Sequence, residues 1–189
     1  MNGYLSRQEL LDIGFASVGE DVSISDRACF YGASKMHIGS HVRIDDFCLF
    51  VGNITIGNHI HICAYSSFHA SSGSIVIDDF SNFSSRTVIY AASDDYSGET
   101  MTNPTVPEKY KAIEWGDVYC GKHTIVGTGS TILHKSYVPE GTAIGAMSLV
   151  NSRLEPWGIY AGIPCRRIKD RSKHCLELEK QLMEEESHS

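Results

Sequence analysis

The sequence is short of several things, and each absence removes a class of function. No apolar run approaches the roughly 18 residues that a membrane-spanning helix needs. The opening stretch, MNGYLSRQELLDIGF, lacks the basic start and apolar core of a secretory signal. Basic charge is scarce: 16 Lys and Arg stand against 23 Asp and Glu, for a formal net charge of −7. That balance argues against nucleic acid as the main partner. No two of the 6 cysteines (Cys29, Cys48, Cys63, Cys120, Cys165, Cys175) have Cys-x-x-Cys spacing. They fall inside a regular repeat where small apolar residues fit, and a chain of 189 residues does not need disulfide staples. The cysteines are therefore expected to be reduced, the protein cytoplasmic, and the site free of metal.

What is present is a six-residue period. Ile38-Gly39-Ser40-His41-Val42-Arg43 is followed by hexads starting at Ile44, Phe50, Ile56, Ile62 and Phe68. A further set starts at Ile77, Phe83 and Ile89. After a gap the register returns at Val126, Ile132, Val138, Ile144 and Val150, and Val18, Ile24 and Phe30 extend it upstream. One large apolar residue per six is expected to point inward, with a small residue four places later also pointing inward. Gly, Asp or Asn after the apolar residue allows a tight corner. Three such units close one triangular coil of about eighteen residues, and stacked coils bury what one coil cannot. The expected fold is all-β, a parallel β-helix. His41, His59 and His123 recur at the fourth hexad position, which predicts a structural role at a corner.

Three segments depart from the period. Residues 1–17 are expected to form a capping helix, with Ser6 and Glu9 as a capping box, Leu5 and Leu10 as a hydrophobic staple and Gly14 as the stop. Residues 91–117 are an aperiodic insertion in the β-helix domain, which spans 18–165. A loop of that length in a compact domain is usually functional. Residues 166–189 begin with Arg166, Arg167, Lys169, Arg171 and Lys173, read as a basic C-terminal helix with an acidic tail and as a candidate phosphate-binding patch. His174 and His188 lie in that tail.

Together the repeats, the insertion and the closing stretch Pro156-Trp157-Gly158-Ile159-Tyr160-Ala161-Gly162-Ile163-Pro164-Cys165-Arg166 resemble the hexapeptide-repeat acyltransferases. The ending is similar to that of galactoside and maltose acetyltransferases. Asp94-Asp95-Tyr96-Ser97-Gly98 with Asn103-Pro104-Thr105-Val106-Pro107 is similar to the sugar O- and N-acetyltransferases of O-antigen and other surface-polysaccharide pathways, lipopolysaccharide included. The resemblance implies a left-handed coil, a homotrimer, and acetyl-CoA as co-substrate in the groove between subunits. By motif, Thr128 and Ala146 then line the pantetheine groove. Arg166, Lys169 and, more weakly, Arg167 meet the nucleotide end of the cofactor.

Acyl transfer to an amine or hydroxyl needs a base, an oxyanion donor and two substrates held together. Members of the family mostly use a histidine as base, and in galactoside-type enzymes it lies in the protruding loop. Here that position falls near Asp94, and the loop holds no histidine. His69, one coil below the root of the insertion, is the best-placed imidazole. Asp94 or Asp95 competes with it, as base or as anchor for an amino group, while Tyr90 and Tyr96 are candidates to meet a sugar ring. His134 occupies a position where many members have proline. A zinc hydratase of the γ-carbonic anhydrase type needs His-x4-His spacing, which no pair here has. The favoured function is acetyl transfer to a nucleotide-linked amino sugar or another polysaccharide precursor. The alternatives are a xenobiotic or antibiotic acetyltransferase and a non-catalytic β-helix.

Overall fold

The computed structural model describes residues 3–187; His188 and the outer ends of the 1–17 and 166–189 segments lie outside the described residues. Short parallel strands stack into three faces of a left-handed β-helix of about 7 turns. Val18, Ile38, Ile56, Ile77, Cys120 and Val138 run up the first face. Ile24, Ile44, Ile62, Phe83, Val126, Ile144 and Tyr160 run up the second. Phe30, Phe50, Phe68, Ile89, Ile132 and Val150 run up the third. From Ile38 to Val150 each of these columns is fully buried, so the first hexad position builds the core.

The small fifth position is buried as well: Ser66, Ser81, Thr87, Thr124, Ser130, Ser136, Thr142 and Ser148. A buried hydroxyl must find a partner. At several corners it is the carbonyl three residues earlier, as where Thr87 Oγ1 donates to Ser84 O at 2.7 Å and Thr142 Oγ1 to Pro139 O at 2.6 Å; elsewhere it is a carbonyl of the next coil, as where Ser130 Oγ donates to Gly145 O at 3.0 Å and Ser136 Oγ to Val150 O at 3.3 Å. At the corner between the first and second faces, His41, His59, Phe80, His123 and Trp157 all adopt left-handed backbone, φ 54–59°. Each turns its N–H to a carbonyl of the coil below, His59 to Ser40 O at 3.0 Å for example. Their rings stack, His41 on His59 at 4.6 Å and His59 on Phe80 at 4.7 Å, which offsets the backbone strain. The recurrent histidines are thus corner residues.

The N-terminal helix is shorter than expected, Arg7–Asp12, because Ser17–Val18 already pairs as a strand with His37–Ile38. The Ser6–Glu9 capping box is present, Gly14 takes φ 79°, and Leu10 plugs the open end of the stack. The C-terminal expectation needs correcting. Arg166, Arg167 and Lys169 lie on a strand, Cys165–Asp170, that folds back antiparallel on Gly158–Gly162, and the helix starts only at Cys175. The reversal covers the edge of the second face, which otherwise offers unpaired backbone. The helix Cys175–Ser187 is held to the body by Glu179, which accepts from Lys122 and from His123 Nε2 (2.7 Å). All six cysteines are free, and burial pushes the thiols of Cys48 and Cys120 up to about 11 and about 12. No helix among the described residues is long and apolar enough to cross a membrane.

Candidate active site

The insertion leaves the β-helix at the corner between the third and first faces. Its ends pair as an antiparallel ribbon, Ala92–Asp94 against Ile113–Trp115. Two anchors fix it. Below, Asp117 Oδ1 accepts from the N–H and the hydroxyl of Ser74, both at 2.8 Å. Above, Glu114 Oε2 lies 3.3 Å from His134 Nε2 and 3.3 Å from Lys135 Nζ. The bond from His134, followed by that from Lys135, holds the Glu114 carboxyl below its ordinary value. The other ring nitrogen of His134, Nδ1, is buried without a partner. Beneath the root of the ribbon, Phe68 and Ile77 are nine residues apart instead of six, and the extra Ser71-Ser72-Gly73 opens room under the loop.

Three depressions surround the ribbon. One of about 390 Å³ is walled by Ser71, Ser72, Tyr90, Asp94, Asn103 and Lys111, among others. A second, about 490 Å³, is lined by Tyr90, Asp94, Tyr96, Leu133 and His134. A third, about 370 Å³, is lined by Asp94, Asp95, Tyr96, Glu114 and His134. Asp94 faces all three, at the end of the outgoing ribbon strand, and its side chain is exposed.

The other expected residues divide by what already occupies them. Tyr90 pairs with His69 in adjacent coils, and the two rings stack at 4.8 Å with 15° between planes. Half-buried, His69 has its pKa pushed below the ordinary imidazole value by desolvation. Its ring supports Tyr90 rather than lining any of the three depressions. Asp95 holds the loop tip together. Its Oδ1 accepts from Ser97 N (2.8 Å) and Ser97 Oγ (2.7 Å), and its Oδ2 from Thr100 N (2.9 Å) and Thr100 Oγ1 (3.0 Å). The bonds from Ser97 and Thr100 bring its pKa down to about 2, so Asp95 is a fixed anion of the turn. Tyr96, 95% exposed, projects from the tip.

The residues expected to meet the cofactor lie elsewhere, on the corner between the second and third faces. Thr128 and Ala146 occupy equivalent, exposed places on successive coils, and Met147 N donates to Thr128 O at 2.9 Å. The coils touch closely here: a Cβ on Gly127 would lie 2.4 Å from Ala146 N. The small-residue strip continues to Ala161, whose strand partner is Arg166. Arg167 is engaged by its surroundings, donating to Tyr160 Oη at 3.0 Å and to Asp170 Oδ1 at 2.9 Å. Among the described residues no side-chain hydrogen bond or ion pair engages Lys169. The chain therefore gathers Tyr90, Asp94, Asp95 and Tyr96 at one corner and Thr128, Ala146 and Arg166 at another, with the third face between them. Sequence reasoning missed Lys111 and the pairing of His134 with Glu114. The one signal for the latter is that His134 sits one coil beyond the insertion, at the same corner.

A ribbon carrying an exposed carboxylate at one corner, and at another a strip of small residues that ends at an arginine, suit the joining of two separate molecules. Comparison with known proteins agrees. The dTDP-4-amino-4,6-dideoxy-D-glucose acyltransferase of Escherichia coli is 48% identical over 179 residues, 93% of each chain. The chain belongs to the hexapeptide-repeat sugar acyltransferases. It is an acyltransferase, and its fold matches closely that of AntD, an N-acyltransferase from Bacillus cereus, solved in complex with dTDP and 3-hydroxybutyryl-CoA. That structure superposes with a TM-score of 0.96 at 44% identity, over 99% of this chain and 100% of AntD. AntD variants have also been solved with dTDP-4-amino-4,6-dideoxyglucose and coenzyme A. The galactoside O-acetyltransferase of Escherichia coli (strain K12) is 25% identical over 89% of this chain and 71% of its own. No family model matches the chain.

Proposed function

We propose that this acyltransferase moves an acyl group, acetyl in the simplest case, from coenzyme A to the amine of a nucleotide-linked amino sugar. The observation that carries the reading is the position of Asp94, an exposed carboxylate shared by all three depressions around the ribbon. The names of the relatives support an amine over a hydroxyl acceptor and a dTDP-linked 4-amino-4,6-dideoxy sugar as its class.

At neutral pH such an amine is an ammonium ion, which cannot attack. Asp94 attracts it and takes one proton, which frees the lone pair to attack the thioester carbon. The C–N bond forms, the C–S bond breaks, and the nitrogen's second surplus proton passes to the departing thiolate of coenzyme A, leaving a neutral amide. Asp94 is favoured over His69 for this step because His69 packs beneath Tyr90 (4.8 Å) and Asp94 faces the open volume. Tyr90 and Tyr96 meet the sugar, and Thr128, Ala146, Arg166 and Lys169 guide the cofactor. The two corners belong to one site when a second copy sets its ribbon against the Thr128–Ala146 strip, as in a homotrimer. The cytoplasm, where acyl-CoA is available, is its setting.

The test is thiol release from acetyl-CoA with a dTDP-linked 4-amino sugar. Asp94→Asn is expected to lower kcat/KM by about 10²–10⁴, the range of a general base, with coenzyme A affinity unchanged. Asp94→Asn at native rates would remove Asp94 from proton transfer.

A further inference from the structure

Lys111 is out of keeping with the rest of the insertion. It sits in a segment that is almost wholly exposed, yet its own side chain is only 3% accessible. Its ammonium Nζ lies 2.8 Å from Glu108 Oε1, and Glu108 is 82% exposed. A buried cation needs compensation, and an ammonium has three donors. Among the described residues a single carboxylate, itself mostly in water, answers one of them. Lys111 also lines the depression of about 390 Å³ that Tyr90, Asn103 and Asp94 share. The lining of that depression thus includes the Asp94 carboxylate and, paired with Glu108, the sunken ammonium of Lys111.

That pattern complements a molecule with a positive group at one end and a negative group at the other. A nucleotide-linked amino sugar has both, an ammonium on the ring and a diphosphate beyond the anomeric carbon. Resting on the acceptor class proposed above, we infer that Lys111 binds the acceptor's diphosphate and that Glu108 is a placeholder for it, an internal anion that the diphosphate displaces. Lysine suits this role as a compact point charge for phosphate oxygens. Glu108 is suited to leave: it is three residues away on a short turn, Glu108–Tyr110, and its carboxylate regains full hydration when it swings out.

A placeholder and a structural ion pair give opposite predictions. If the pair only holds the loop, removing either partner damages the same interaction and both variants bind acceptor more weakly. If Glu108 competes with the diphosphate, the signs differ. The measurement is KM for the dTDP-linked amino sugar, with calorimetry of dTDP itself, on the native protein, Lys111→Gln and Glu108→Gln. Lys111→Gln is expected to weaken both by about 10- to 100-fold, the loss of a hydrogen bond to a charged group. Glu108→Gln is expected to tighten both several-fold. Coenzyme A affinity stays at the native value in each, which checks that the fold is intact. A native-like KM in Lys111→Gln, or weakening in both variants, overturns the inference while leaving the proposed reaction standing. A native protein that neither binds dTDP nor turns over the amino sugar overturns both.

Discussion

His69 gives the sharpest separation between a chemical and a structural role, because two substitutions affect the two roles differently. Its ring stacks on Tyr90 at 4.8 Å and 15°, and Tyr90 lines two of the three depressions. His69→Phe keeps a flat ring under Tyr90 and removes both nitrogens. His69→Ala removes the platform. An aromatic pair of this kind is worth about 0.5–1.5 kcal/mol beyond buried area, so loss of the platform should cost about 2- to 12-fold, chiefly in KM for the amino sugar. A general base would cost about 10²–10⁴ in kcat in either variant. Initial rates by thiol release, over a range of amino-sugar concentrations, read the split. The expected order is native close to His69→Phe, with His69→Ala moderately weaker. A loss of a hundredfold or more in His69→Phe would return the proton to the imidazole. The pH profile provides a second readout. Burial lowers the His69 pKa, so a His69 base would be neutral and active at pH 7, and the rate would fall as pH dropped through the lowered value. With Asp94 as base no such imidazole limb belongs to His69.

Two further outcomes concern the scaffold. Phe68 is fully buried, edge-on to Phe50 and Phe83 at 5.3 Å each. Phe68→Ala should cost about 3–5 kcal/mol, read as a fall in denaturation midpoint at unchanged slope, and a loss below about 1 kcal/mol would deny the third-face column its place in the core. Glu179 ties the C-terminal helix to Lys122 and His123. Burial alone would raise its pKa, but the hydrogen bonds from Lys122 and His123 outweigh burial and lower it. A lowered carboxylate pKa stabilises the folded state above the ordinary value of 4.5, and that stabilisation is lost as pH falls through the lowered value. Amide exchange in 175–187, taken relative to the intrinsic rate at each pH, should therefore lose protection below that pH, and Glu179→Gln should show the same loss of protection already at pH 7.

The coil was legible because burial imposed the period directly. Every hexad from Ile38 to Val150 had to turn its first side chain into a column a few atoms wide, and that demand is written in the residue types. The ribbon was not legible, because Ile113, Glu114 and Trp115 are all exposed and a strand with no buried face leaves no alternation. The basic strand Cys165–Asp170 reads as helix from sequence for a related reason: from Arg166 onward it is exposed, and only its pairing with Gly158–Gly162 makes it a strand. In the candidate site, Tyr90 and Asp94 could be found from their place at the root of the insertion. The support of Tyr90 by His69 could be placed to within one coil. That Asp95 is committed to Ser97 and Thr100 depends on how the loop closes on itself. The burial of Lys111 depends on the same closure, and residue type alone does not reveal it.

Everything at the ribbon turns on whether the amine of a nucleotide-linked sugar is the group acylated. The most direct measurement is mass spectrometry of the products after incubating the native protein with acetyl-CoA and a dTDP-linked 4-amino-4,6-dideoxy sugar, beside the same sugar carrying a hydroxyl at that carbon. The expected result is an acetamido product, with one thiol released per amide, from the amino sugar alone. Equal acylation of the hydroxyl sugar, or no product from either while coenzyme A still binds, would contradict it.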